Sequence, residues 1–184
     1  MHKVEEVVQA FPDDLKQIHT RARELAAVHG FDVADPVFYL LALVETAAGP
    51  ETPRFGPDGK EPSELRNKNG AAITWLRSIG VTKYPIAHTI DEYFHHVDHP
   101  STVHAAAAQA YRHMMYELGE RCRSVNSAGP ALYRYDLLEA IALSESVLVE
   151  KVFTSLHLSG DYFREALRLE PLLPSHIDPR LAAV

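Results

Sequence analysis

The amino-acid sequence predicts an all-α protein built as one domain. Apolar residues recur at spacings of three and four along most of the chain, which is the pattern of amphipathic helices, and strand-like alternation is weak. Two parts of the chain repeat the same helical pattern, which fixes an architecture before any single residue does. With 184 residues, 46% of them apolar and 23% charged, the chain has the size and composition for one sizeable core. We therefore treat 1–184 as a single domain.

The first predicted helix has its apolar face between residues 15 and 29. Asp13 and Asp14 suit its N-terminal end, because acidic side chains there accept free backbone N–H groups and face the positive end of the helix dipole. Gly30 suits the position just after its last residue, where the backbone needs a positive φ. This part of the sequence predicts one helix that ends at Gly30.

A second, strongly apolar helix is predicted to begin at Asp35, with Asp35 as the N-cap and Pro36 as the first helical residue. It ends before the polar, proline-containing segment 49–69, which has the character of an inserted surface loop. A short helix over 71–79 follows, and Gly80 closes it.

The second half of the chain contains the longest predicted helix. The preceding connector is expected to hold one short helix from about Thr89 to His96, and the long helix begins at Pro100 and is broken at 126–130. Helices at about 134–143 and 146–157 come next, separated by Ser144 to Ser146 as a helix break with an N-cap.

The end of the sequence is predicted to be less regular. Asp161 suits the N-cap of a last helix that ends near Leu169. The tail 170–184 contains three prolines, so we expect it to be irregular and to serve as a linker.

The repeat pairs an apolar helix and a following helix in each half of the chain. Ala42 aligns with Ala140, 98 positions later, and Ile79 aligns with Leu156, 77 positions later. The two offsets differ by 21, which is the length of the segment 49–69. One insertion therefore accounts for the mismatch between the copies.

These segments resemble the N-terminal domain of Clp-type AAA+ unfoldases. The first copy offers Tyr39-Leu-Leu-Ala-Leu-Val44 and Ala72-Ile-Thr-Trp-Leu-Arg-Ser-Ile-Gly-Val81, and the second offers Leu137-Leu-Glu-Ala-Ile141 and Val149-Glu-Lys-Val-Phe-Thr-Ser-Leu-His-Leu158. His29-Gly30 also fits the end of the opening helix of that family.

The resemblance implies two pseudo-symmetric four-helix repeats in one compact domain, at about 12–83 and about 100–168, with the loop 49–69 inserted in the first. It also implies a non-enzymatic module that docks a protein or peptide: an adaptor, a substrate segment or an unfoldase component. The ATPase modules that follow this domain in the family do not occur in the sequence, so we expect a free-standing docking domain that is a monomer or a weak dimer.

The polar positions of the family motif are not kept. Its Glu-His pair is Val37-Phe38 in the first copy and Tyr135-Asp136 in the second. In some members that glutamate helps to recognise phosphorylated arginine, through paired charge-assisted hydrogen bonds that valine and tyrosine cannot form. Recognition of phosphoarginine is therefore not expected here.

Four aromatic residues are candidates to line a docking groove. Tyr133 and Tyr135 lie at the start of a predicted helix, Phe11 precedes the first long helix, and Phe38 lies on the apolar helix. Aromatic side chains around an apolar cleft are typical of peptide-in-groove binding.

A histidine-rich segment, Glu92-Tyr-Phe-His-His-Val-Asp-His99 with His104 beyond it, supports an alternative hypothesis. Histidine is a common metal ligand, and Glu-x-x-His spacing occurs in metal-binding helix bundles. A small metal-binding helical enzyme would use His95, Asp98 and His99 first. The sequence has no second Glu-x-x-His, so we expect no metal, no cofactor and no catalytic residues.

Composition and missing motifs exclude several other classes. The net charge of -7 and the pI near 5.8 disfavour nucleic-acid binding. No phosphate-binding Walker A motif is present. The most apolar run, Val37 to Val44, is far shorter than the roughly 18 residues of a membrane span. The first residues do not form a secretory signal, so a cytoplasmic protein without membrane partners is expected.

The single cysteine, Cys122, cannot form an intramolecular disulfide, which agrees with a reducing compartment. Arg121 and Arg123 on either side of it are able to lower its pKa, although we expect an ordinary thiol.

Overall fold

The computed structural model describes residues 4–46, 76, 79–96, 100–124, 132 and 134–161. Within these ranges the chain forms seven α-helices and no strand, which confirms the all-α prediction. The helices are α1 (Val4–Gln9), α2 (Asp13–Val28), α3 (Pro36–Thr46), α4 (Lys83–His95), α5 (Pro100–Ser124), α6 (Arg134–Leu143) and α7 (Val147–Ser155). No helix of the described residues is both long enough and apolar enough to cross a bilayer.

Helix α3 lies at the centre of the core. All residues from Pro36 to Leu43 are buried. A helix that is apolar on every side must be enclosed by other elements, and α3 packs against α2, α4, α5, α6 and α7. Helices α2 and α4 to α7 are therefore arranged around α3, and α1 packs against α5.

A buried side-chain pair joins the N-termini of α3 and α7. The carboxylate oxygen Oδ1 of Asp35 accepts a hydrogen bond from the backbone N–H of Val37 at 2.9 Å and another from the hydroxyl of Ser146 at 2.6 Å. The Ser146 hydroxyl in turn accepts from the backbone N–H of Val149 at 3.2 Å. Both predicted N-caps are confirmed, and they are bonded to each other.

A second buried contact joins α2 to α6. Arg134, the first residue of α6, places Nε 3.5 Å from Oδ2 of Asp14, and both side chains are 5% exposed. Asp14 is in the first turn of α2, as predicted, but it also forms this buried ion pair. Because two opposite buried charges meet across the two helices, the pair fixes how the helices approach each other.

Two helix ends in the first half close with a left-handed glycine. Gly30 has φ +77° after α2, and the backbone N–H of Phe31 donates to the carbonyl of Ala26 at 3.0 Å. Gly80 has φ +84°, and the backbone N–H of Val81 donates to the carbonyl of Leu76 at 2.9 Å. Both are the glycine-closed helix ends that the sequence predicts.

The end of α7 has the same geometry 77 positions after Gly80. His157 has φ +58°, and the backbone N–H of Leu158 donates to the carbonyl of Phe153 at 2.8 Å. A Cβ placed on Gly80 would lie 3.7 Å from the side chain of Leu156, so the two ends lie next to each other. The two short tails that look alike in sequence thus form the same hydrogen bond.

Helix α4 is longer than predicted. It starts at Lys83, with Thr82 as the N-cap, and not near Thr89. Pro85 in its first turn suggests a break, but a proline is accommodated there because the first N–H groups of a helix have no partner inside it. The other bounds agree more closely: α5 starts at Pro100 and α6 spans the predicted 134–143.

Several predicted segments lie outside the described residues. These are the loop 49–69, the helix 71–79 apart from Leu76 and Ile79, the break 126–130, the last helix beyond Asp161, and the tail 170–184.

The Asp35 carboxyl makes the stability of the fold depend on pH. Burial raises its pKa from 3.8 to about 6, while the hydrogen bonds from Ser146 and Val37 oppose the rise. The folded state therefore keeps a proton that the unfolded chain loses, and this stabilisation is complete below about pH 4 and is lost as the pH rises through about 6. We expect the change Asp35→Asn to remove about 1–1.5 kcal/mol from the difference in unfolding free energy between pH 5 and pH 7.5.

Urea denaturation at the two pH values measures this difference. Asp32→Asn, a change of an exposed acid in the same segment, is the matched control and should keep the wild-type pH dependence. An unchanged pH dependence in Asp35→Asn would contradict the assignment.

Candidate binding cleft

Three polar side chains from three helices form a hydrogen-bonded chain beside the core. His19 of α2 places Nδ1 2.6 Å from the hydroxyl of Tyr39 on α3. The Tyr39 hydroxyl also interacts with that of Tyr111 on α5, and the two rings lie 6.2 Å apart. Tyr39 is fully buried, whereas His19 and Tyr111 are half-buried. The chain therefore connects the centre of the core with the surface.

The surface end of this row of three side chains lies in a cleft of about 440 Å³ between α1, α2, α5 and the segment 32–34. Its lining combines apolar, polar and charged side chains: Val4, Glu5, Val8, Gln9, His19, Arg23, Asp32, Val33, Ala34 and Tyr111. Apolar walls with a few polar groups are typical of binding sites, and the volume lies in their usual range of about 300–1,000 Å³.

A second cleft of about 360 Å³ adjoins the first along α2. Arg23, Asp32 and Ala34 line both clefts. Arg23 is therefore accessible from both, and a ligand in either one meets its guanidinium group.

The charge of Arg23 acts on all three members of the hydrogen-bonded chain. Burial lowers the pKa of His19, and Arg23 lowers it further. Burial raises the pKa of both Tyr39 and Tyr111, and Arg23 opposes each rise. Both effects on His19 favour its uncharged form at neutral pH.

An uncharged His19 allows two proton arrangements along the chain. In one, the Tyr39 hydroxyl donates to Nδ1, so His19 Nε2 carries the remaining N–H. In the other, Nδ1–H donates to the Tyr39 hydroxyl, whose own proton is then free to turn away from His19. A protonated imidazole has an N–H donor on both Nδ1 and Nε2.

The predicted docking residues do not form this cleft. Phe11 is 3% exposed and packs edge-on against His19, with ring centroids 6.1 Å apart. Phe38 is fully buried against Phe31, and Tyr135 is half-buried on the core cluster. Tyr133 lies outside the described residues. Phe11 supports the cleft from behind, and Phe38 is a core residue.

The position of the family's first acidic residue is also inaccessible. Val37 is fully buried, so a glutamate at this position would be a buried charge.

The predicted metal ligands are only partly visible. His95 is exposed at the end of α4, whereas Asp98 and His99 lie outside the described residues. His104 packs against Phe31 with ring centroids 4.5 Å apart. Among the described residues no group of three or more His, Cys, Asp or Glu side chains is placed to hold a metal ion.

Sequence reasoning did not identify His19, Arg23 or Tyr39 as residues of a site. The available signal is the i, i+4 spacing of His19 and Arg23 on α2, together with a tyrosine inside an otherwise apolar helix. A buried tyrosine hydroxyl needs a hydrogen-bond partner, so Tyr39 indicates a polar site next to the core.

Comparison with known proteins adds no family or fold assignment: no family model, no curated protein and no solved structure matches this chain.

Replacing Tyr39 with phenylalanine is expected to destabilise the fold by about 1–2 kcal/mol. The change removes the hydroxyl that joins His19 to Tyr111 and leaves part-buried polar atoms without it. The free energy of unfolding from urea denaturation measures the effect. Tyr116→Phe, at a position that is 54% exposed, is the control and should change stability by less than about 0.5 kcal/mol. Equal effects of both changes would show that the hydroxyl chain contributes nothing.

The surroundings of Cys122 favour the protonated thiol. The thiol is half-buried on α5, and burial together with the negative charge of Asp136 raises its pKa. Because the thiolate is the reactive form, we expect alkylation by iodoacetamide at pH 7.5 to be at least about fivefold slower than for free glutathione. The urea-unfolded chain is the control and should react at the glutathione rate. Faster reaction in the folded chain would contradict the assignment.

Proposed function

We propose that this chain is a non-enzymatic docking module that binds a segment of a partner protein in the cleft between α1, α2 and α5. The observation that carries the proposal is the cleft itself, in which apolar side chains from α1 face a hydrogen-bonded polar base. Val4 and Val8 supply apolar contact area, and His19 and Tyr111 supply orientation-dependent hydrogen bonds. This combination suits a short peptide segment.

The rest of the described surface contains weaker candidates for a docking site. The large exposed apolar residues, Val28, Tyr84, Tyr116 and Val147, lie on four different helices. Single exposed apolar residues are normal on a protein surface and need no partner. The cleft is therefore the better candidate for a docking site.

We further propose that the domain consists of two four-helix repeats, as the resemblance to Clp N-terminal domains implies. The matching hydrogen bonds at Val81 and Leu158, 77 positions apart, support this arrangement. So does the burial of both α3 and α6, which align at the other offset of 98. Under this proposal the partner is an adaptor, a substrate segment or an unfoldase component.

Binding of labelled random octapeptide pools, measured by fluorescence anisotropy, tests the docking function. We expect Val8→Asp to weaken binding at least about tenfold, because it places a charge on the apolar wall of the cleft. Val28→Asp makes the same change at a position that is 82% exposed, and it should leave binding unchanged.

Circular dichroism of both variants establishes that they are folded. The proposal would be overturned by a wild-type chain that binds no pool, or by equal loss of binding in the two variants.

A further inference from the structure

The cleft contains Arg23, a cation that forms no salt bridge with a described residue. Three of the other arginines are each placed beside a carboxylate: Arg21 beside Glu24 and Glu45, Arg121 beside Glu117 and Glu139, and Arg134 beside Asp14. Arg23 forms no salt bridge with any described residue, although its charge reaches all three members of the hydrogen-bonded chain. Its five N–H donors are thus available to a ligand.

Further donors converge on the same cleft. Tyr111 and His19 both line it, and each carries a polar group that is able to donate a hydrogen bond. An arginine beside a hydroxyl and an imidazole suits an anion with two oxygens, because a guanidinium group binds a carboxylate through two parallel hydrogen bonds.

We infer that the cleft recognises the C-terminal carboxylate of a partner protein whose last side chain is apolar. The inference rests on the proposed docking function. A terminal residue carries a carboxylate and a side chain on one α-carbon, which matches a cation and the apolar wall of Val4 and Val8 in one cleft. A volume of about 440 Å³ fits the end of a chain better than a long internal segment.

The two acidic residues of the cleft add selectivity. Glu5 and Asp32 are exposed and also line it. Their carboxylates accept hydrogen bonds from the N–H groups of the bound segment and repel a ligand with additional acidic side chains. A terminus preceded by neutral or basic residues therefore fits best.

A bound carboxylate also favours the protonated form of His19. Ionisable groups from every surrounding element face this imidazole or its cleft: Glu5 on α1, Arg23 on α2, Asp32 in the segment after α2, Tyr39 on α3 and Tyr111 on α5. The ligand opposes the effect of Arg23, so binding takes up a proton and is tighter at pH 6 than at pH 8.

The test compares two labelled random octapeptide pools that end in leucine, one with a free carboxylate and one with a C-terminal amide. We expect the wild-type chain to bind the acid pool at least about tenfold more tightly, a preference that Arg23→Gln abolishes. Lys151→Gln removes the same charge from an exposed position on α7 and should keep the preference. His19→Gln should remove the pH dependence.

The outcomes separate this inference from the docking function. Equal binding of both pools, with loss of both in Val8→Asp, overturns carboxylate recognition and leaves docking in place. Failure of both pools to bind overturns both proposals. Competition by N-acetyl-leucine as strong as that by the acid pool, mole for mole, overturns the assignment to a protein terminus and identifies a small carboxylate instead.

Discussion

The enclosure of α3 is the constraint on which the rest of the structure depends. Because the residues from Pro36 to Leu43 are all buried, every polar group at or near this helix must find its partner inside the protein. At its N-terminus, the Asp35 carboxylate accepts a hydrogen bond from the hydroxyl of Ser146, the N-cap of α7. The Tyr39 hydroxyl does so through His19 and Tyr111. The polar contacts of the Tyr39 hydroxyl reach the surface and form the base of the cleft.

Much of the helical framework could be predicted because its signals are local. The caps at Asp35 and Ser146, the closing glycine Gly30 and the start of α5 at Pro100 each depend on a few neighbouring residues. The start of α4 at Lys83 lies before the predicted one near Thr89. Pro85 lies in the first turn, where it costs little.

The cleft could not be predicted in the same way. Its hydrogen-bonded chain joins residues 19, 39 and 111, which are brought together only by the packing of three helices. Helical periodicity assigns Tyr39 correctly to the buried face but contains no information on what its hydroxyl meets. The aromatic residues chosen for a groove were buried for the same reason, since large apolar side chains such as Phe38 are first of all core residues.

In the proposed repeat, positions that form the core correspond between the two copies, whereas a position that forms the cleft does not. Apolar positions such as Ala42 and Ala140 correspond, and both are fully buried. At the same offset of 98, Tyr39 corresponds to Leu137, which is buried but has no polar group. A second hydroxyl chain therefore cannot form in the same place in the other half. Under the proposed repeat, the matching apolar helices account for the core, and the cleft lies where Tyr39 carries a hydroxyl at the position that corresponds to the aliphatic Leu137.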